Sequence, residues 1–194
     1  MRIVAGEFGG RRLRAPRGTD TRPTADRVRE SMFAVIGPVE GAEVLDLFAG
    51  SGALALEALS RGAVRATLVD RSATALAAAR ANVAAIGLEE RTRLIRADWQ
   101  HALRLLTRER ARASGAQACP PGVGLCLLDP PYTLLPRIAG RLGAALAPLL
   151  APGATVVIEH DAGIACSLEG LAVATAERRA YGDTAVTVLR GEGC

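Results

Sequence analysis

The chain has 194 residues, 49% of them hydrophobic and 23% charged, which suits one globular domain able to bury a core without disulfide or metal staples. No apolar run approaches the ~18 residues of a membrane span, and the N-terminus lacks the apolar stretch of a signal peptide, so a cytoplasmic protein with no membrane association is expected. The net charge is +4 with no Lys, and the whole formal excess lies in residues 1–30, where eight Arg outnumber four acids. Guanidinium forks match phosphate oxygens, so this Arg cluster is suited to nucleic acid.

Residues 1–24 read as a basic arm ahead of a catalytic domain spanning 25–194. Arg2-Ile3-Val4-Ala5, a Gly9-Gly10 turn and Arg11-Arg12-Leu13-Arg14 suggest a β-hairpin. Arg11, Arg12, Arg14 and Arg22 are the expected nucleic-acid contacts. A helix comes next, with Thr24 as expected N-cap, Asp26 at its positive end and Val28, Met32 and Val35 or Ile36 on one face.

From Val44 the pattern alternates. Val44–Phe48 is a strand ending in a glycine loop, Ala53–Arg61 a helix stopped by Gly62, and Ala66–Asp70 a second strand. Ser72–Ile86 is an Ala-rich helix with Ser72 as N-cap and Gly87 as its stop. Thr92–Ile95 is a third strand and Asp98 to Arg112 a third helix, succeeded by a Pro/Gly loop at 114–124. Leu125–Leu128 and Ala154–Ile158 are strands flanking a region, 134–150, that is helical in parts. A last pair of strands, near Val173 and at Ala185–Leu189, is joined through Tyr181-Gly182-Asp183. Strands separated by helices imply an α/β, Rossmann-like fold. Its sheet is mainly parallel and seven-stranded, with helices on both faces and one antiparallel strand at the end.

The four cysteines (Cys119, Cys126, Cys166, Cys194) form no C-x-x-C pair, and His101 and His160 are the only histidines, so no metal site is expected. The chemistry gathers at strand ends. Asp46-Leu47-Phe48-Ala49-Gly50-Ser51-Gly52 joins a strand to a helix, where open α/β sheets bind ligands. Asp46 suits a cationic amino-acid moiety. Asp70, with Arg71 next to it, suits ribose hydroxyls, Asp98 an adenine amine, and Trp99 the adenine face. The spacing Gly50-x-Gly52-x-x-Ala55 also fits a dinucleotide fingerprint, so an NAD(P)- or FAD-dependent oxidoreductase stays open at this point.

Leu127-Leu128-Asp129-Pro130-Pro131-Tyr132 runs an apolar strand into a rigid turn. The Asp129 carboxylate and the Pro130 carbonyl, stiffened by Pro131, can each accept one hydrogen of a planar amine. Its lone pair is then aimed at a methyl donor. Tyr132 offers a ring for a base to stack on.

These two loops together resemble class I methyltransferases acting on base amino groups. More narrowly, the chain resembles the bacterial RsmD type, which methylates guanine N2 in 16S ribosomal RNA. The narrower likeness rests on Arg2-Ile-Val-Ala-Gly, Thr21-Arg22-Pro23-Thr24, Arg29-Glu-Ser-Met-Phe33, Ser60-Arg-Gly-Ala63, Asn82 and Tyr181-Gly-Asp-Thr184. Ala55 and Asp70 depart from that pattern, where Gly and Glu are usual. The resemblance implies S-adenosyl-L-methionine as donor with S-adenosyl-L-homocysteine as product. It also implies rRNA of the small ribosomal subunit or its assembly intermediate as acceptor, a monomer, and Arg22 and Thr24 near the active site in contact with donor or RNA. DNA adenine-N6 or cytosine-N4 methylation uses the same pincer and is the alternative, as is a non-catalytic RNA-binding module.

Overall fold

The computed structural model describes residues 1–16, 26–113 and 122–193. Arg22, Thr24, Cys119, Cys194 and most of the 114–124 loop lie outside the described residues. The elements alternate as α1 (Asp26–Ile36), β1 (Glu43–Leu47), α2 (Ala53–Ser60), β2 (Arg65–Asp70), α3 (Ala73–Ile86), β3 (Thr92–Arg96) and α4 (Trp99–Ala113), continuing with β4 (Val123–Leu128), α5 (Leu135–Leu146), β5 (Leu150–Asp161), β6 (Val173–Tyr181) and β7 (Thr184–Gly191).

Among the described residues seven strands form one sheet in the order β3-β2-β1-β4-β5-β7-β6. β1 pairs in parallel with β2 and β4, and β4 with β5, while β7 runs antiparallel to both β5 and β6. The strand order reverses between β1 and β4, so a crevice opens above their carboxyl ends. Helices α2 and α3 cover one face of the sheet, sharing a core with Leu68, Leu125, Leu127 and Val157. Helices α4 and α5 cover the other, against Leu45, Leu47, Cys126 and Leu128.

Local signals end the elements where the sequence places them. Ser72 Oγ accepts the Ala75 N–H at 3.3 Å, and Gly87 closes α3 in the left-handed region at φ 75°. β5 is longer than expected, because a register shift opposite Val123 and Leu125 lets residues 150–153 extend it. β6 is exposed along nearly all its length, an edge strand whose Glu177-Arg178-Arg179 run discourages pairing with another chain.

The N-terminal segment differs from a regular hairpin. Its two arms are joined by the Arg2–Arg12 bridge, with Ile3 N–H donating to the Arg11 carbonyl at 2.9 Å and Gly10 N–H to the Ile3 carbonyl at 2.8 Å, while other amides between them bond to α2. Val4 and Ala5 donate to the Glu57 carboxylate at 2.7 and 3.1 Å, Phe8 to Ser60 Oγ at 2.9 Å, and Glu7 to the Ser60 carbonyl at 2.8 Å. Ile3 and Leu13 join the core beside Met32 and Phe33. Gly6 makes this approach possible. At φ +83°, a Cβ on it would lie 1.9 Å from the Ser60 carbonyl oxygen.

Glu57 organises this corner. Its carboxylate is wholly buried and pairs with Arg61 at 2.8 Å and with Arg29 at 3.6 Å. Arg29 is also fully buried, and donates to the Arg2 carbonyl and to Asp26 at 2.8 Å. One of the eight N-terminal arginines is thus an internal tie, and takes no part in a surface charge patch. Removing one partner of a buried pair strands the other. Glu57→Ala is therefore expected to lower unfolding free energy by about 3–5 kcal/mol in urea titrations, with loss of protection of the Val4 and Ala5 amides in hydrogen exchange.

Candidate active site

The site is built from the loops at the carboxyl ends of the parallel strands. After β1 the chain turns sharply. Phe48 adopts φ 70°, rare for a residue with a side chain, and Ala49 N–H reaches the Val69 carbonyl at 2.9 Å. Gly50 comes next at φ 55° and donates to Asp70 Oδ2 at 2.9 Å; a Cβ on it would meet nothing within 4 Å. Gly52 is different. Its absent Cβ makes room for Leu68, which a methyl would approach to 2.7 Å, so Gly52 serves packing of α2 on β2 and does not line the cavity.

These turns wall a cavity of about 1120 Å³, larger than the ~300–1,000 Å³ of usual small-molecule pockets. Of the expected site residues, Asp46, Phe48, Ala49, Gly50, Ser51, Asp70, Arg71, Asp98, Trp99, Asp129, Pro130, Pro131 and Tyr132 all line it. Arg11, Arg12 and Arg14 do not. Arg11 lies over the Phe8 ring, 5.9 Å from its centre, and the Arg14 main chain is held by Asn82. The expected contacts Arg22 and Thr24 fall outside the described residues.

Asp46 is the most constrained of these groups. It is 1% exposed; Oδ2 accepts the Ala55 N–H at 3.2 Å, and Oδ1 has no hydrogen-bond partner among the described residues. Burial pushes its carboxyl up to about 8, against the Ala55 N–H, with the Asp70 charge adding to the rise. Asp70 is satisfied differently: Oδ2 takes Gly50 N–H and Oδ1 takes Ser72 N–H at 2.8 Å, so it ties the glycine loop to the start of α3. Each oxygen keeps a second lone pair for a hydroxyl. Asp98 caps α4 through His101 N–H at 2.9 Å, and that bond leads in holding its carboxyl below the usual range.

Across the cavity, Asp129 stands at the end of β4. Burial raises its carboxyl well above the ordinary value, and the charges of Glu159 and Asp46 add to that. The Pro131 carbonyl accepts Leu134 N–H at 2.8 Å and starts α5. Tyr132 Oη and Thr184 Oγ1 lie 2.8 Å apart, fixing the ring against the β6–β7 turn.

Glu159, Met1 and Pro16 line the cavity without a motif that marks them in the sequence; Arg29 and the turn Tyr181–Thr184, whose residues carry the family likeness, line it too. Asn82 stitches the N-terminal segment to the glycine loop, donating to the Arg14 carbonyl at 3.0 Å and the Ser51 carbonyl at 2.9 Å. Among the described residues no group of His, Cys, Asp and Glu is arranged to hold a metal ion, and Cys126 and Cys166 are free thiols.

The residues present fit a sulfonium donor of the S-adenosylmethionine type. The orphaned Asp46 oxygen suits an ammonium, Asp70 suits ribose hydroxyls, and Gly50 leaves open space beside them. A nicotinamide or flavin dinucleotide has no ammonium to offer Asp46. Fold and site together define a class I, S-adenosylmethionine-dependent methyltransferase.

Comparison with known proteins narrows this. The family described as "Conserved hypothetical protein 95" matches residues 1–190, and the chain belongs to it. YlbH of Bacillus subtilis, whose name gives it a provisional assignment as an rRNA methyltransferase, is 33% identical over 199 residues, covering all of both chains. The Escherichia coli ribosomal RNA small subunit methyltransferase D is 54% identical over 71 residues, 36% of each chain. Among solved structures, the yhhF protein of Escherichia coli, provisionally called a methyltransferase, superposes with a TM-score of 0.75 at 28% identity, covering 100% of this chain and 99% of its own.

The Asp46 carboxyl makes stability depend on pH with a definite sign. Its folded value exceeds its unfolded one, so its contribution is complete below about pH 4 and declines as pH rises toward about 8, by at most ~1.4 kcal/mol per unit. Asp46→Asn, which cannot ionise, is expected to be more stable than the parent at pH 8 and no more stable at pH 4 in urea titrations, while binding S-adenosylhomocysteine more weakly.

Proposed function

We propose that the chain transfers a methyl group from S-adenosylmethionine to the exocyclic N2 amine of a guanine in small-subunit (16S) rRNA, acting as a cytoplasmic monomer on the small ribosomal subunit or its assembly intermediate. The observation that carries this reading is the shared cavity: the Asp129-Pro130 pincer and the Tyr132 ring line the same space as the glycine loop and Asp46. No helix among the described residues is long and apolar enough to cross a membrane.

The donor, when bound, supplies an electrophilic methyl group. Everything else falls to this chain. Asp46 would hold the amino-acid end of the donor by its ammonium, Asp70 its ribose and Asp98 its adenine amine, with Trp99, Phe48, Ala49, Ser51 and Arg71 forming the walls. Asp129 and the Pro130 carbonyl take the two amine hydrogens and turn the nitrogen lone pair toward the methyl. Charge growing on nitrogen is stabilised by the same carboxylate, and the raised Asp129 carboxyl is suited to accept the proton that leaves. Tyr132, pinned by Thr184, offers a fixed ring for stacking. A base inside folded RNA must be turned out to reach this depth, at a cost of a few kcal/mol. Arg11, Arg12, Arg14, Arg22 and Thr24 are the proposed RNA contacts that offset it.

The same pincer would serve adenine N6 or cytosine N4 of DNA. The likeness to YlbH across its whole length, and to the small subunit methyltransferase D over a shorter stretch, favours RNA. Mass spectrometry of small-subunit rRNA from a deletion strain should show loss of one N2-methylguanosine, restored by the wild-type gene; unchanged content would reject the assignment. Asp129→Ala should lower turnover by about 10²–10³-fold. Its affinity for S-adenosylhomocysteine should stay within about tenfold, because it loses positioning and keeps the donor contacts.

A further inference from the structure

Asp129 has a carboxylate neighbour that transfer to an amine does not by itself require. Leu128 pairs with Ile158 in parallel register, so the next residues, Asp129 and Glu159, sit side by side where β4 and β5 reach the cavity. Glu159 is only 7% exposed, and what surface it has belongs to a residue lining that cavity. Its main chain is fixed by pairing with Val186. The next residue is locked as well: the His160 ring lies 2.8 Å from the Asp161 carbonyl through Nδ1 and 2.8 Å from Thr187 Oγ1 through Nε2. Asp183, another carboxylate on this wall, lies farther along. Its carbonyl takes the Ala162 N–H, beyond the end of β5.

Two adjacent carboxylates repel one another; burial chiefly raises the Asp129 carboxyl, and the Glu159 charge adds to that rise. What they accept best is an edge with several N–H donors in a row. The amine-bearing bases differ here. Adenine and cytosine place a ring-nitrogen lone pair beside their amine, whereas guanine places N1–H beside N2. A second carboxylate next to the pincer is repelled by the first two bases and bonded by the third. With the two N2 hydrogens on Asp129 and Pro130, N1–H needs an acceptor on one flank of that pair, and the sheet register sets Glu159 beside Asp129.

We propose that Glu159 is the base-selecting residue of this site, accepting the N1–H of the target guanine alongside the Asp129-Pro130 pincer. The inference rests on the guanine reading of the site and names the group responsible for it.

The test uses an RNA substrate whose modified guanosine has been mapped, and the same RNA with 2-aminopurine riboside at that position. 2-Aminopurine keeps the N2 amine and replaces N1–H with a lone pair. The wild type should prefer guanosine by about 10²-fold or more in kcat/KM, because 2-aminopurine turns a lone pair, in place of N1–H, toward the Glu159 carboxylate. Glu159→Gln presents an amide N–H to that lone pair, so the preference should collapse by about 10²-fold, with S-adenosylhomocysteine affinity within about threefold of wild type as the check on folding. A wild type that methylates both RNAs within about threefold overturns the role of Glu159 without any variant being needed, as does a Glu159→Gln protein that slows both equally. Transfer by the wild type to adenosine or cytidine instead of guanosine overturns the guanine reading itself, a result distinct from either.

Discussion

A buried carboxylate, with one oxygen unbonded among the described residues, is the constraint around which this structure is arranged. Asp46 sits at the end of a central strand, with one oxygen held by the first turn of α2 and the other unbonded among the described residues. Left alone it disfavours its own ionisation and costs the fold stability. A group with that cost persists where a ligand supplies the missing charge, and the cavity beside it is large enough for a donor and a planar base together.

The sheet turns that single constraint into a receptor. Parallel strands in register end at one level, so Asp46, Asp70, Asp98, Asp129 and Glu159 all come to one cavity. Their environments then set them apart. Asp70 and Asp98 are stabilised as acceptors by backbone N–H groups, whereas Asp46 and Asp129 are desolvated and poised to take a cation or N–H donors. The N-terminal segment closes one side of this arrangement. Glu57 and Ser60 draw it onto α2, Asn82 ties it to the glycine loop, and Met1 and Pro16 become part of the wall. The basic segment is therefore both a wall of the cavity and the proposed approach to RNA.

Much of this is readable in the sequence, because it depends on neighbours along the chain. Apolar runs mark the strands, Ser72 and Gly87 bound α3, and Asp129-Pro130-Pro131-Tyr132 directly succeeds an apolar strand. The features that are not readable depend on groups far apart in sequence. Nothing local marks Glu57 as the acceptor for the Val4 and Ala5 amides, or Arg29 as a buried tie. By composition Arg29 counts simply as surface charge. Gly52 fits a ligand-loop pattern and yet is required by Leu68. Glu159 closes an ordinary strand, and only its register beside Asp129 gives it meaning.

The most direct measurement is the proton balance of donor-product binding, taken by calorimetry at pH 7 in buffers of different ionisation enthalpy. With Asp46 titrating near 8 in the free chain, most molecules hold its proton at pH 7. Seating an ammonium against it should expel close to one proton per S-adenosylhomocysteine bound, and Asp46→Asn should expel none. Tight binding with no proton release by the unaltered chain would contradict the account.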